Sequence, residues 1–283
     1  MDQKIINLYD EYTHKPLPRS VFLKKLVALT GSLAAALSVL PLLEGCYSKA
    51  ATSAGGDLLT ERITYPGAGS EMKALLARPR KEGRYAGIIV IHENRGLNPH
   101  IEDVTLRVAR AGYLALGVDA LSPFGGTPAN EDEGRTLIGK LDAARNLQNY
   151  IKAYDYLATR SDCNGRFGCV GFCWGGALAN QLAVNDARVK AAVAYYGRQP
   201  EMADVPRIKG AVQLHYGELD ERINAGIPAY EAALKAAGVP YELYIYPGAN
   251  HAFHNDTSAA RYNEAAAKLS WQRTLAFFDK HLD

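Results

Sequence analysis

The stretch Gly171-Phe172-Cys173-Trp174-Gly175-Gly176 restricts the folds open to this chain more than any other, because it joins an apolar run, Phe167 to Gly171, to an alanine-rich helical pattern, Trp174 to Asn185. G-x-C-x-G at such a junction matches a nucleophile elbow, the sharp strand-to-helix turn that lifts one side chain above a sheet. Glycines on either side remove the Cβ atoms that would clash in so tight a bend. A helix beginning just after Cys173 favours thiolate over thiol, and the Trp174 N–H can point at a developing oxyanion. Read alone, the cysteine also fits a buried structural thiol at a tight turn.

The flanking sequence alternates short apolar runs with longer helix-periodic stretches. Leu58 to Tyr65 and Met72 to Ala77 read as an antiparallel pair joined by Pro66-Gly67-Ala68-Gly69 at one sheet edge. Strands follow at Ile88 to Ile91, Leu114 to Val118, Phe167 to Gly171, Val189 to Tyr196, Ala211 to His215 and Tyr241 to Tyr246. Between and after them, Ile101 to Ala111, Ala143 to Arg160, Trp174 to Asn185, Pro228 to Ala237 and Ala260 to His281 carry apolar positions three or four apart. Such alternation requires crossover helices and hence parallel strands, an α/β architecture with one catalytic domain over residues 57–283.

Two partners for Cys173 appear in the order nucleophile, acid, histidine. Asp220 follows the strand Ala211 to His215, and His251 follows Tyr241 to Tyr246, so both are expected at the sheet edge that carries the elbow. The imidazole would take the thiol proton, and the carboxylate would fix the imidazole tautomer. Singly, each residue has a plainer reading: Asp220 as the cap of a helix starting near Ile223, His251 as a packed loop residue. A fourth feature is His92-Glu93-Asn94-Arg95-Gly96, at the end of the strand Ile88 to Ile91. Its Asn94 N–H is placed to complete an oxyanion hole with Trp174, and Glu93 faces the thiol or else forms a surface ion pair.

Lys and Arg total 32 against 30 Asp and Glu, with no basic run, so a nucleic-acid partner is not expected and a small neutral or singly charged ligand is. Residues 1–56 read as an export signal or anchor followed by a linker: Arg19, Lys24 and Lys25 precede an apolar run from Leu26 to Leu43. Arg19-Ser20-Val21-Phe22-Leu23-Lys24 resembles a twin-arginine signal with one arginine replaced, and Leu43-Glu44-Gly45-Cys46 resembles a lipoprotein cleavage box. The expectation is a bacterial periplasmic protein, the alternatives being membrane association through residues 20–46, lipidation at Cys46, or a retained packing helix. Cys163 and Cys169 read as unpaired structural thiols, with a disulfide as the alternative. No cofactor is expected. A metal site built from His92, Glu93, His251 and His254 lacks the usual ligand spacing.

From about Leu58 to Asp283 the sequence resembles the dienelactone hydrolase (carboxymethylenebutenolidase) family, in an exported branch. The matching stretches are His92 to Asn98, Gly112-Tyr113 through Val118-Asp119, Gly171 to Gly176, Tyr196-Gly197-Arg198, Tyr246-Pro247-Gly248 and His251-Ala252-Phe253. The resemblance implies an α/β-hydrolase fold, a mostly parallel central sheet flanked by helices on both faces. It implies Cys173, His251 and Asp220 as the triad, Glu93 as the carboxylate that helps form the thiolate, and Asn94 and Trp174 as the oxyanion hole. Arg95, Tyr196, Arg198, Phe253 and His254 are the implied substrate contacts. Two arginines that hold the substrate carboxylate in the family are absent where this chain reads Leu121 to Gly126 and Phe253-His254-Asn255, and Arg95, Arg198 or Arg222 is left to supply that charge. The implied activity is hydrolysis of a small carboxylic ester or lactone through a covalent acyl-enzyme. The competing readings are a non-catalytic envelope binding protein on the same fold, and thiol redox chemistry.

Overall fold

The strand residues alternate their burial between two apolar layers, which is what a sheet covered on both faces demands. Ile89 and Ile91 join one core while Ile88 and Val90 join the other. The computed structural model describes residues 1–15, 17–44 and 56–283. Eight strands form one sheet: β1 (Leu58–Pro66), β2 (Glu71–Pro79), β3 (Tyr85–Ile91), β4 (Leu114–Asp119), β5 (Cys163–Phe172), β6 (Val189–Tyr195), β7 (Ala211–Gly217) and β8 (Tyr241–Tyr246). Their order is β1-β2-β4-β3-β5-β6-β7-β8, with β1 and β2 antiparallel at one edge and every pairing from β4 to β8 parallel. The expected α/β architecture with its antiparallel edge pair is therefore present.

The helices are α1 (Gln3–His14), α2 (Arg19–Thr30), α3 (Leu33–Glu44), α4 (Pro99–Arg110), α5 (Glu131–Ile138), α6 (Ala143–Ala158), α7 (Trp174–Asn185), α8 (Glu221–Asn224), α9 (Ile227–Ala237) and α10 (Glu264–Leu282). Helices α6, α7 and α9 cover one face of the sheet, through residues such as Tyr154, Leu182 and Leu234. Helices α4 and α10 cover the other, through Val104, Val108, Phe277 and Phe278. Short α5 and α8 lie in stretches where periodicity gave no expectation. Each starts on an Asx cap, Asn130 accepting from Glu133 N and Asp220 from Ile223 N.

Helices α1 to α3 form a separate packed unit around Tyr9, Tyr12, Phe22, Leu26, Leu40 and Leu43, with Tyr12 stacked on Phe22 at 4.3 Å. Gly31, at φ 80°, ends α2, and α3 leaves at 112° to it, so the apolar run is two helices folded back on each other. No single helix among the described residues is long and apolar enough to cross a membrane, although the bent pair has the length and composition to do so together. The unit rests on the sheet domain: Arg19 pairs with Asp132, and Ala260 N–H donates to the Leu42 carbonyl at 3.1 Å, while the Arg19–Glu44 pair at 3.0 Å ties α2 to α3 within the unit. Cys46 lies outside the described residues. Cys163 and Cys169 are unpaired and buried, and burial pushes the Cys169 thiol up to about 12.

Candidate active site

At the end of β5 the chain turns through Cys173 at φ 56° and ψ −113°, a conformation that costs a non-glycine residue about 1–3 kcal/mol. The turn is pinned on both sides, Cys173 N–H donating to the Tyr195 carbonyl at 3.0 Å and Ala177 N–H to the Cys173 carbonyl at 3.1 Å. A Cβ on Gly171 would strike the Gly175 carbonyl oxygen, and one on Gly175 the His92 carbonyl oxygen, so the two glycines are a steric requirement of the bend. Cys173 thus stands over the carboxyl ends of the parallel strands, where Tyr196 and Ala252 are the other described non-glycine residues with positive φ.

Two loops along the same edge bring up the expected partners. Asp220 follows β7 and His251 follows β8, and His251 Nδ1 lies 2.5 Å from Asp220 Oδ2 with both side chains buried. Asp220 Oδ1 meanwhile accepts from Ile223 N at 3.4 Å, so the capping reading and the pairing reading hold together. Burial opposes both charges. For Asp220 the neighbouring His251 and Arg222 outweigh it and hold the carboxyl below its ordinary range. For His251 the Asp220 carboxylate and the Cys173 sulfur outweigh it and hold the imidazole well above its usual value. Nε2 of His251 is buried without a hydrogen-bond partner among the described residues.

The residue bonded to the thiol comes from α1, and nothing in the elbow pattern pointed to it. His14 Nε2 lies 3.1 Å from Cys173 Sγ, and the His14 ring stands edge-on to that of His251 at 4.6 Å. Its Nδ1 faces the Asp10 carbonyl at 2.9 Å, which makes Nδ1 the N–H donor and leaves a lone pair on Nε2 toward sulfur. Burial, reinforced by His251 and Arg222, pushes its pKa well below the ordinary value and keeps the ring neutral. The available signal was the spacing of Ile5, Ile6, Leu8, Tyr9 and Tyr12, which makes Gln3–His14 an amphipathic packing helix whose last residue is a histidine.

Glu93 is buried, accepting from Tyr196 Oη at 3.3 Å and from Asn255 Nδ2 at 2.8 Å. The Asn94 amide donates to the Thr13 carbonyl at 2.9 Å, tying the end of α1 to the loop after β3. His92 holds that loop to the next one: its Nδ1 faces the Glu93 carbonyl at 2.5 Å, its Nε2 accepts from Ala120 N at 3.1 Å, and Trp174 stacks on its ring. Arg95 is buried beneath α1, donating to Tyr9 Oη at 2.7 Å and pairing with Glu131. A cavity of about 300 Å³ opens beside Cys173, lined among others by Asn94, Arg135, Trp174, Tyr196, Arg198 and Arg222. Arg198 and Arg222 are exposed on its rim. Phe253 and His254 do not line it. They are buried behind it, Phe253 against Tyr246 and His254 against Phe172 and Tyr195. Nor do His92, Glu93, His251 and His254 converge as metal ligands: among the described residues His14, Cys173 and His251 do, their donor atoms all within 4.8 Å of one another.

Residues 72–282 match the model of the dienelactone hydrolase family. A Saccharolobus solfataricus protein bearing the name carboxymethylenebutenolidase is 30% identical over 257 residues, covering 77% of this chain and 98% of its own length. A Bradyrhizobium protein named for lactonase activity on 2-oxo-3-(5-oxofuran-2-ylidene)propanoate is 32% identical over 76% of this chain and 91% of its own. The crystal structure of a Klebsiella pneumoniae protein described as a dienelactone hydrolase superposes with a TM-score of 0.72 at 30% identity, covering 79% of this chain and 99% of that one. A sharp cysteine elbow on a mostly parallel sheet, matched by model, sequence and structure, places the chain in the dienelactone hydrolase family of carboxylic-ester hydrolases, on the α/β-hydrolase fold.

Proposed function

We propose that this chain hydrolyses a small carboxylic ester or lactone through a Cys173-His251-Asp220 triad. The observation that carries the reading is the buried His251–Asp220 pair, at 2.5 Å, on the same sheet edge as a cysteine held at φ 56°. The thiol gives up its hydrogen bond to His14 Nε2, and sulfur attacks the substrate carbonyl carbon as the thiol proton passes to His251 Nε2. The Asp220 carboxylate stabilises the imidazolium through the interaction that already lifts the pKa of His251. The tetrahedral oxyanion is met by the N–H groups of Trp174 and Asn94, the former at the first position of α7, where no helical carbonyl claims it. Collapse expels the alkoxide, which takes the proton from His251. Water, activated by the same imidazole, then frees the acid and restores the thiol.

The substrate class follows from the cavity. Its size suits a small molecule, and exposed Arg198 and Arg222 on the rim favour a carboxylate on the substrate, with Tyr196 in its wall. The lactonase named among the relatives acts on a carboxylate-bearing lactone, which agrees with that charge. In a panel of short aryl esters and lactones with and without a carboxylate, wild type is expected to turn over at least one. Cys173→Ala is expected to lose about a thousandfold or more in turnover with the fold intact. Unchanged initial rates in that variant overturn the triad.

A further inference from the structure

The family match spans residues 72–282 and does not include α1, so the third group at the thiol belongs to a segment outside that match. His14, Cys173 and His251 come from three separate elements, yet Nε2, Sγ and Nε2 all lie within 4.8 Å of one another. Each imidazole has its other nitrogen occupied, His14 Nδ1 by the Asp10 carbonyl at 2.9 Å and His251 Nδ1 by the Asp220 carboxylate at 2.5 Å. This outer bonding is what orients a metal-binding histidine, fixing the tautomer so that the lone pair faces the ion. His251 Nε2, buried and without a partner, is aimed into the group.

We infer that His14 Nε2, Cys173 Sγ and His251 Nε2 form a binding site for a zinc-class divalent cation, one that fastens α1 over the active site. One thiolate and two neutral imidazoles are the donor types zinc takes, with bonds of about 2.3 Å to sulfur and about 2.0–2.1 Å to nitrogen. Three protein ligands leave a fourth position for water on the cavity side. On binding, the Cys173 S–H bond breaks and a sulfur–metal bond forms. Any proton on His251 Nε2 leaves as its nitrogen–metal bond forms. Both protons pass to solvent, and no electron is transferred, so affinity rises with pH. The metal ties up sulfur and the His251 lone pair together, and hydrolysis stops. That last consequence rests on the proposed triad, whereas the binding does not.

The test uses the full chain, stripped with a chelator and titrated with Co²⁺, then with Zn²⁺. One equivalent of Co²⁺ is expected to give a near-ultraviolet thiolate-to-cobalt band with the strong visible absorption of a tetrahedral ion, and Zn²⁺ to displace both. Cys173→Ser should abolish the thiolate band, and His14→Ala should weaken Co²⁺ at least about tenfold. Because His14→Ala also loosens α1, a second readout is taken on wild type: Zn²⁺ should slow hydrogen exchange across residues 3–14 and shield Cys173 from iodoacetamide. A missing thiolate band overturns the site. So does a band of unchanged affinity in His14→Ala, or zinc binding that leaves α1 exchange unaltered. Zinc that binds and slows α1 exchange without inhibiting turnover supports the site and instead removes Cys173 as nucleophile.

Discussion

The sheet edge and the N-terminal helical unit meet at one sulfur atom but are held by different forces. Cys173, Asp220 and His251 arrive there because β5, β7 and β8 run parallel and end on the same side, which fixes their mutual position through backbone register. Helix α1 has no register with anything. Its own apolar cluster faces α2 and α3, and its grip on the catalytic domain is largely polar: Asp10 to Arg261 at 3.2 Å, Tyr9 to Arg95, Tyr12 to Asp132 at 2.8 Å, Thr13 to Asn94, and Gln3 to Asn250 at 2.6 Å. Apolar packing changes little with pH, whereas ionic and hydrogen-bonded contacts respond to single charges. The proposed triad should therefore be a rigid site, and α1 an adjustable cover on it.

The largest expected effect tests the rigid half. Asp220→Asn removes the charge that stabilises the His251 imidazolium and should lower turnover about a thousandfold, with substrate affinity little changed. Its stability cost should depend on pH in a defined window. The folded-state pKa of Asp220 is depressed, so its contribution is present above about pH 4 and lost in acid. That of His251 is raised, so its contribution is complete below about pH 6.5 and lost as pH climbs through the folded value. The gap between wild type and variant in urea unfolding should be widest between those limits and close on the alkaline side. A gap that widens steadily with pH contradicts the ion pair. Next in size, Asp10→Ala leaves Arg261 buried without its carboxylate whenever α1 is docked, a penalty of about 3 kcal/mol. Peptide-resolved alkylation of Cys173 should speed up about a hundredfold at fixed pH. An unchanged rate means that α1 does not guard the thiol.

The same division explains what was legible in the sequence. Period-two and period-three-to-four patterns report burial, and so the eight strands and the long helices were readable, as was the elbow, whose glycines answer a local steric demand. Asp220 and His251 were readable because topology alone sends them to the edge where Cys173 stands. The apolar run from Leu26 to Leu43 reads from its composition as an export or anchor segment. Composition does not encode the bend at Gly31, nor the cluster that Phe22, Leu26 and Leu40 make with Tyr9 and Tyr12. His14 was illegible for a related reason: its role depends on a contact 159 positions away, which no local pattern records. Arg95 reads as a substrate contact until Tyr9 and Glu131 are seen to occupy it.

Smaller effects probe how adjustable the cover is. His14 is held neutral and half-buried against Cys173 and His251, with Arg222 and Arg261 adding positive charge and the Asp10 carbonyl holding Nδ1. Docking lowers its pKa, so the docked state is fully favoured above about pH 6.5 and loses ground as pH falls, by up to about tenfold per pH unit. Exchange of the α1 amides, corrected for intrinsic rates, should follow that slope, and His14→Gln should flatten it. Asn94→Ala should do least. The deleted amide satisfies the Thr13 carbonyl at 2.9 Å, one hydrogen bond of about 1 kcal/mol, so α1 exchange should rise about fivefold at every pH. The backbone N–H of residue 94 survives the change, and turnover should fall far less than it does for Asp220→Asn. A large loss of turnover with unaltered α1 exchange would place the Asn94 side chain in the chemistry and leave α1 held by its ion pairs alone.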